Sequence, residues 1–446
     1  MRPEVNLFDI SLGLMYVFII FFFTLFIKKV KIKTNQEYNY FIPALSLKLV
    51  GGILFAFISM YYYKGGDTFV FFNAAEGLRQ TIFNNLDQAI LIYFLDAKDF
   101  DPSIHTFAPS YNYILKSKDV FAMVKITSFF NLFSFGSYLV SSILIAFFSF
   151  LGLWMSYSSI CKLYPKAAKY LFIPFFLIPS SILWSSGILK DTLTIAMIGW
   201  IIYAVANVFI FKKRLFMSLF LIVLSSWGLL LLKPYLLYIL IPSIFIWIQT
   251  NLKNVLKGSF LRFFLTPFLV VILVVFGYLL IQEFSESAGK YNLENIETAL
   301  IGFQSWHEYL AENRDQSGYS LGEIEFSFVG ILTKSPAAFT VTFFRPYLWE
   351  VRNLPTLLGA IEGLLLFIFF WYLLIKLRLR FFSILFKNKE VLFLMIFGVV
   401  FGIVVGISSY NFGALSRYKI PAEIFFITSL IIIYHESLLS KTLKNS

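Results

Sequence analysis

A carboxylate follows two glycines at a point where a run of aromatic residues ends. Residues 61–63 are tyrosines, residues 65–66 are glycines, and Asp67 comes next. A carboxylate just past the end of an apolar helix can act as a general base at a membrane surface. Its oxygens could instead help to hold a divalent cation such as Mg²⁺ or Mn²⁺. The alternative is an ordinary turn in which Asp67 caps the next helix.

Further acidic residues in the same loop could add ligands, although a solvated loop is the simpler interpretation of them. They are Asp96, Asp99 and Asp101, with His105 close by. The chain holds one cysteine and three histidines, which excludes a disulfide framework, a cysteine cluster and a histidine-rich metal site.

A second group of candidate residues begins an apolar segment. Residues 179–187 include a proline, several serines and a glycine, and Lys190 and Asp191 follow shortly. Neighbours on a helix point about 100° apart, so these two side chains are not expected to pair with each other. Lys190 near a helix N-terminus is suited to binding a phosphate, with Asp191 in support. Snorkelling of Lys190 to the interface is the alternative.

Basic residues also stand beside three later apolar segments. Arg345 lies among aromatic residues, where a guanidinium needs an anion; Glu350 follows it, and Glu362 lies inside the next segment. Arg417 and Lys419 precede the last segment, and arginine can bind phosphate with two parallel hydrogen bonds. The candidate residues for binding an anion are Lys190, Lys233, Arg345, Arg417 and Lys419.

Two basic residues have a simpler or an open interpretation. Lys419 could pair with Glu423, which lies four residues further along the chain. Lys48 lies in the middle of an apolar segment without a local partner, and the sequence assigns it no role.

The composition is that of an integral membrane protein. Of 446 residues, 59% are hydrophobic and only 14% are charged, whereas about a quarter of the residues in a soluble domain are charged. The net charge of +12 comes mainly from short loops between apolar segments, which indicates topology and not a nucleic-acid surface. We therefore predict an all-α polytopic membrane protein that forms one integral membrane domain over residues 1–446, without a signal peptide.

The apolar runs predict about eleven transmembrane helices. They lie near residues 8–27, 41–63, 133–157, 170–184, 188–211, 215–232, 236–250, 263–281, 357–375, 391–408 and 421–434. Placing each short basic loop in the cytoplasm puts the N-terminus outside and the C-terminus in the cytoplasm. Two long outer loops result, residues 64–132 and 284–352, with amphipathic stretches expected to lie on the interface. We find no soluble domain and no internal repeat.

This topology would place Lys190, Lys233, Arg345 and Arg417 near the outer surface, on the same side as Asp67. Topology rules would normally keep such cations in the cytoplasm. A phosphate or pyrophosphate head group on a lipid carrier would neutralise them, and a nearby carboxylate would activate an acceptor hydroxyl.

Two short motifs resemble those of a known family. Gly66-Asp67-Thr68, followed by an aromatic stretch, resembles the Gly-Asp loop of exopolysaccharide-polymerase-like proteins, among the bacterial polytopic glycosyltransferases of the GT-C type. Residues 416–421, Ser-Arg-Tyr-Lys-Ile-Pro, resemble the Arg-Tyr-x-x-Pro ending of many such enzymes. Here the acid follows the second helix, whereas the usual GT-C enzyme places it after the first.

The resemblance implies a polyprenyl-(pyro)phosphate-linked sugar donor, a saccharide or lipid acceptor, and a location in the bacterial cytoplasmic (inner) membrane. It implies that Asp67 is the base or a metal ligand and that the later basic residues bind the carrier phosphate. Two alternatives remain open: a metal-independent polysaccharide polymerase or ligase, and a flippase or transporter of lipid-linked saccharide. Transporters tend to carry internal repeats and ionisable residues near the midplane, so the sequence favours an enzyme.

Overall fold

The structure is a computed structural model that describes residues 3–105, 107–255, 318–322 and 328–445, together with Val275. In these ranges the chain is helical, and one isolated β-bridge joins Gly318 to Asn411. Apart from Val275, the predicted segment near residues 263–281 lies outside the described residues, and so do residues 284–317 of the second predicted loop.

The helices used below are given in chain order. They are α1 Leu7–Lys31, α2 Phe41–Phe57, α3 Asp67–Asn84, α4 Leu86–Phe94, α5 Lys118–Phe133, α6 Tyr138–Leu163, α7 Lys190–Val205, α8 Leu215–Leu232, α9 Pro234–Val255, α10 Phe328–Phe344, α11 Leu354–Leu377, α12 Leu379–Lys387, α13 Lys389–Ser408, α14 Phe412–Tyr418 and α15 Ile420–Asn445. Short π-helical turns extend α2 over Ile58–Tyr63 and α7 over Ala206–Phe211.

Eight helices in the described ranges are long and apolar enough to cross a membrane, which confirms the predicted polytopic helical class. They are Leu7–Lys31, Gln36–Tyr63, Tyr138–Leu163, Lys190–Phe211, Leu215–Leu232, Leu354–Leu377, Lys389–Ser408 and Ile420–Leu439. Each matches one of the eleven predicted segments. The segment predicted near residues 236–250 corresponds to a shorter apolar stretch, Pro234–Gln249.

The segment predicted near residues 170–184 is not one continuous helix. It consists of a helical turn at Ala168–Phe172, a π-helical turn at Ile173–Leu177 and a short helix at Pro179–Trp184. Pro179 disfavours a helical conformation in the residue before it, and Ile178 accordingly has an extended backbone, with ψ at 117°. The break places polar backbone groups inside the protein.

The Cα positions separate the chain into two compact units. Unit 1 comprises the described residues of Met1–Pro165, Ser181–Val205 and Arg214–Lys233. In unit 1 the backbones of α6 and α7 touch: a Cβ atom on Gly152 would lie 2.2 Å from the carbonyl oxygen of Ala196. A Cβ atom on Gly199 would lie 2.2 Å from the carbonyl oxygen of Gly152. Small residues that allow such close approach are typical of helix packing in membranes.

The first predicted outer loop is a folded helical layer within unit 1. Helices α3, α4 and α5 and their connections share a hydrophobic core. Its buried members are Ala74, Ala75, Leu78, Ile92, Ala97, Phe100, Phe107, Ala108, Leu115, Phe121 and Val124. The sequence predicts amphipathic stretches on the interface but does not reveal this shared core. The apolar residues come from short helices separated in the chain, so no single stretch reveals it.

Unit 2 comprises the described residues of Lys166–Ser180, Ala206–Lys213 and Pro234–Ser446. Helix α13 packs closely on α15 and α10. A Cβ atom on Gly398 would lie 2.9 Å from the Phe426 nitrogen of α15, and a Cβ atom on Gly406 would lie 2.4 Å from the Ala338 carbonyl oxygen of α10. The amphipathic stretch expected in the second loop is thus part of a helix, α10, that packs on α13. Lys334 and Pro336 interrupt its apolar pattern, and Lys334 bonds to the Leu321 carbonyl oxygen at 2.7 Å.

Candidate functional site

Asp67 occupies the first turn of α3 and is exposed. Gly66 before it has a φ of 109°, a conformation that favours glycine. The three tyrosines at positions 61–63 lie in the π-helical turn that ends α2, and their side chains are exposed. The glycine turn therefore places the carboxylate directly after an exposed aromatic group.

Lys190, the first residue of α7, forms an ion pair with Asp119, the second residue of α5. The ammonium also lies 5.5 Å from the centre of the Phe71 ring. Phe71 follows Asp67 by four residues on α3, so the two share one helix face about one turn apart. The structure thus brings Lys190 to the part of α3 that carries Asp67.

The Asp119 carboxylate is held in its charged form. Burial raises the pKa of Asp119, but the Lys190 charge and hydrogen bonds from Lys190, Ser117 and the Val120 N–H outweigh it and lower the pKa below its ordinary value. The Asp119 side chain remains 41% exposed, so the ion pair can be reached from outside the protein.

Lys233 and Asp191 form a second, buried ion pair in unit 1. The Lys233 ammonium lies 2.5 Å from Asp191 Oδ1. As predicted, Lys190 and Asp191 do not pair with each other, because the two side chains leave the helix in different directions. The predicted supporting residue Asp191 therefore neutralises one of the predicted anion-binding residues.

Lys48 has a structural partner that the sequence did not reveal. Its ammonium is buried in unit 1 and donates to both the carbonyl oxygen and the hydroxyl of Ser185, the latter at 2.7 Å. Ser185 lies five residues before Lys190, in the stretch between the short helix Pro179–Trp184 and α7. Lys48 therefore fixes the polar segment from which Lys190 and Asp191 extend.

The other possible ligands of the first loop have structural contacts. His105 is buried, its Nδ1 accepts from the Asp101 N–H at 2.9 Å, and its ring stacks on Phe100. Within the ranges that the structure describes, no three or more His, Cys, Asp or Glu side chains are grouped so as to hold a metal ion. The arrangement of these residues does not fit a metal site.

In unit 2, Arg345 meets the anion that its aromatic surroundings require. The guanidinium pairs with Glu350 and lies 5.3–5.8 Å from the ring centres of Tyr319, Tyr347 and Phe412. Burial raises the pKa of Glu350, but hydrogen bonds from Arg345 and the Tyr347 N–H outweigh it and lower the pKa below its ordinary value. The predicted supporting role of Glu350 therefore has a geometric basis.

The remaining predicted residues lie around α14 and α15. The Arg417 guanidinium donates to the Tyr418 hydroxyl at 2.8 Å. Lys419 is 1% exposed, and its ammonium lies 3.5 Å from Glu423 Oε1, so the i, i+4 pair suggested as the simpler alternative is present. Glu362 Oε1 accepts from the Ser180 N–H at 2.8 Å.

The predicted ring of cations is divided between the two units. Lys190 and Lys233 belong to unit 1 with Asp67, whereas Arg345, Arg417 and Lys419 belong to unit 2. Among the predicted phosphate-binding residues, Lys190 contacts Phe71, one helical turn from Asp67.

Asp119 and Phe71 complete this site, and sequence reasoning assigned neither of them. Asp119 precedes Lys190 by 71 residues, and no spacing rule links the two. Asp119 begins an amphipathic stretch, a pattern that predicts an interfacial helix but no partner. Searches against protein-family models, curated proteins and solved structures found no match for this chain.

Proposed function

We propose that the protein is a membrane glycosyltransferase that uses a polyprenyl-(pyro)phosphate-linked sugar at the outer face of the bacterial cytoplasmic membrane. The observation that carries this proposal is the position of Lys190 over Phe71, one helical turn from the exposed Asp67. Transfer of a sugar from a lipid phosphate requires a base for the acceptor hydroxyl and a cation for the leaving phosphate, close to each other at the membrane surface.

The chemistry assigns one task to each side chain. Asp67 takes the proton of the acceptor hydroxyl as that oxygen attacks the anomeric carbon of the sugar. The bond between the anomeric carbon and the phosphate oxygen breaks, and the carrier phosphate leaves with the electron pair. Lys190 stabilises the charge that develops on the leaving phosphate. Attack from the face opposite the leaving group inverts the anomeric centre.

Asp119 keeps the Lys190 ammonium in place before the donor binds. Because this ion pair is partly exposed, a phosphate can compete for the lysine without the desolvation cost of opening a buried pair. The exposed tyrosines at positions 61–63 suit an interfacial position, where a polyprenyl carrier presents its head group.

Substitution of Asp67 tests the base directly. Asp67→Asn keeps the size of the side chain but removes its ability to accept a proton, so transfer should fall by about 10²–10⁴-fold. The measurement is the rate at which purified protein in proteoliposomes transfers labelled sugar from a polyprenyl phosphate donor to an acceptor.

Asp96→Asn is the matched control, since Asp96 is an exposed acid in the same helical layer and pairs loosely with Lys98 at 3.9 Å. It should transfer sugar at the wild-type rate. Full activity of Asp67→Asn would refute the assignment of the base. A wild-type protein that moves the labelled lipid across the bilayer without transferring its sugar would refute the proposed reaction and favour the flippase alternative.

A further inference from the structure

We propose that Glu362, Lys419 and Glu423 form a proton-binding site in unit 2, in which the two carboxyl groups hold one proton between them. Glu362 lies on α11 and Glu423 in the first turn of α15, and Lys419 directly precedes α15. Both helices contain stretches that are long and apolar enough to cross a membrane. Ionisable groups in such helices usually face one another or a functional cavity.

The three side chains form one electrostatic cluster. Lys419 and Glu423 side chains are each 2% exposed, and the ammonium lies 3.5 Å from Glu423 Oε1. Helix α11, which carries Glu362, packs against α15, which carries Glu423, and the charges of Glu423 and Lys419 act on Glu362. Glu362 Oε1 accepts from the Ser180 N–H at the start of the short helix Pro179–Trp184, which fixes the orientation of the carboxyl group.

Several buried polar atoms of this cluster have no hydrogen-bond partner among the residues that the structure describes. They are Glu362 Oε2, Glu423 Oε2 and the Lys419 ammonium nitrogen. Leaving a buried polar atom without a partner is unfavourable, and more so when the atom is charged. An ionised carboxylate can only accept hydrogen bonds, so a proton on one of the two carboxyl groups adds a donor that the carboxylates lack.

The balance of charge gives the number of protons. Two ionised carboxylates and one ammonium leave a net charge of −1 in a cluster in which Lys419 and Glu423 are buried and Glu362 is half-buried. Burial of an uncompensated charge is strongly unfavourable, and two carboxylates that share a site resist simultaneous ionisation. Binding one proton makes the cluster neutral.

Other charged side chains on the elements around α11 have their own contacts. Arg417 on α14 donates to the Tyr418 hydroxyl, Glu350 pairs with Arg345, and Lys334 on α10 donates to a backbone carbonyl. Arg380 on α12 donates to the Ser437 carbonyl oxygen at 3.3 Å. Within the described residues, Glu423 and Lys419 are the charged groups that act on Glu362.

Infrared spectroscopy of the purified protein near neutral pH measures how many protons the two carboxyl groups hold. A protonated carboxyl group has its own C=O stretching band, and this band shifts in D2O. Wild type should show the band of one buried acid. Glu362→Gln should lose it, since Lys419 and Glu423 then form a neutral pair. Glu423→Gln should lose it for the same reason, and this second substitution guards against a folding defect in the first.

Lys419→Met gives the opposite result, because two carboxyl groups without an ammonium need two protons, so the band should double. Glu4→Gln, in an exposed residue, should leave the spectrum unchanged. Absence of the band in wild type, or its survival in both glutamine variants, would overturn the proposal. Loss of the wild-type band on adding Na⁺ would also overturn it and identify a sodium site. None of these readouts depends on glycosyl transfer.

Discussion

Glu350, five residues further along the chain, neutralises Arg345, and the stability that this contact provides is expected to depend on pH. Glu350 receives hydrogen bonds from the Arg345 guanidinium and from the Tyr347 N–H, the latter at 2.7 Å. Three aromatic rings surround the guanidinium and limit its access to water. The aromatic surroundings made the need for an anion predictable, since an arginine among phenylalanine and tyrosine side chains is costly without one.

Glu350→Gln should lower the free energy of unfolding at neutral pH by about 1.5–3 kcal/mol, the range for hydrogen bonds to charged groups. The pKa of Glu350 lies below its ordinary value of 4.5, because the contacts with Arg345 and the Tyr347 N–H outweigh the effect of burial. The stabilisation is therefore complete above pH 4.5 and is lost as the pH falls through the lower pKa of the folded state.

Thermal unfolding in detergent at a series of pH values measures this effect. The difference between wild type and Glu350→Gln should shrink as the pH is lowered below 4.5. Glu4→Gln provides a control in an exposed position. A difference that stays constant with pH would show that Glu350 acts by packing alone.

The contacts of Lys190, by contrast, could not be predicted from residue patterns. Its partner Asp119 lies 71 residues earlier in the chain and Phe71 lies still further away. Only the fold of the helical layer brings the ends of α5 and α7 together. The residue pattern pointed to Lys190 as a candidate but not to the residues that position it.

At the scale of elements, α4 has an apolar face that the core of the helical layer does not cover. Leu86, Ile90 and Phe94 lie along one side of the helix and are exposed, with Phe94 at 87%. Ala89 and Ile92, away from this side, are buried, and Ile92 belongs to the core of the layer. An amphipathic helix in a multi-pass membrane protein typically places such a face in the boundary between head groups and acyl chains.

We expect a fluorophore attached at Phe94→Cys to be quenched strongly by nitroxide-labelled lipids in proteoliposomes. The native cysteine, Cys161, is buried, so labelling should be selective. Lys98→Cys is the matched control, since Lys98 follows α4 and is exposed but polar. Equal quenching at the two positions would contradict the contact between α4 and lipid.

The elements that sequence reasoning missed share a physical cause. Helix α10 has a lysine and a proline in its apolar run, and the segment near residues 170–184 contains two prolines that break it. Hydropathy identifies long uninterrupted helices well, because a bilayer requires about 20 apolar residues in succession. It fails where a helix is interrupted and its polar groups are satisfied by packing.

At the scale of the whole molecule, the sequence established the class of protein and most of its long helices. The eight long apolar helices of the described ranges all correspond to predicted segments. The orientation in the membrane remains a prediction from the basic loops. The cations that the sequence grouped together are divided between the two units, because hydropathy gives the order of helices and not their neighbours.

The central claim is that Lys190 binds the phosphate of a lipid carrier beside Asp67. Titration of purified protein with a polyprenyl phosphate gives the Kd for wild type, Lys190→Ala and the exposed control Lys98→Ala. Loss of a charge-assisted contact of about 1.5–3 kcal/mol should raise the Kd about tenfold or more for Lys190→Ala. Lys98→Ala should bind as wild type does. The same Kd for all three proteins would contradict the claim.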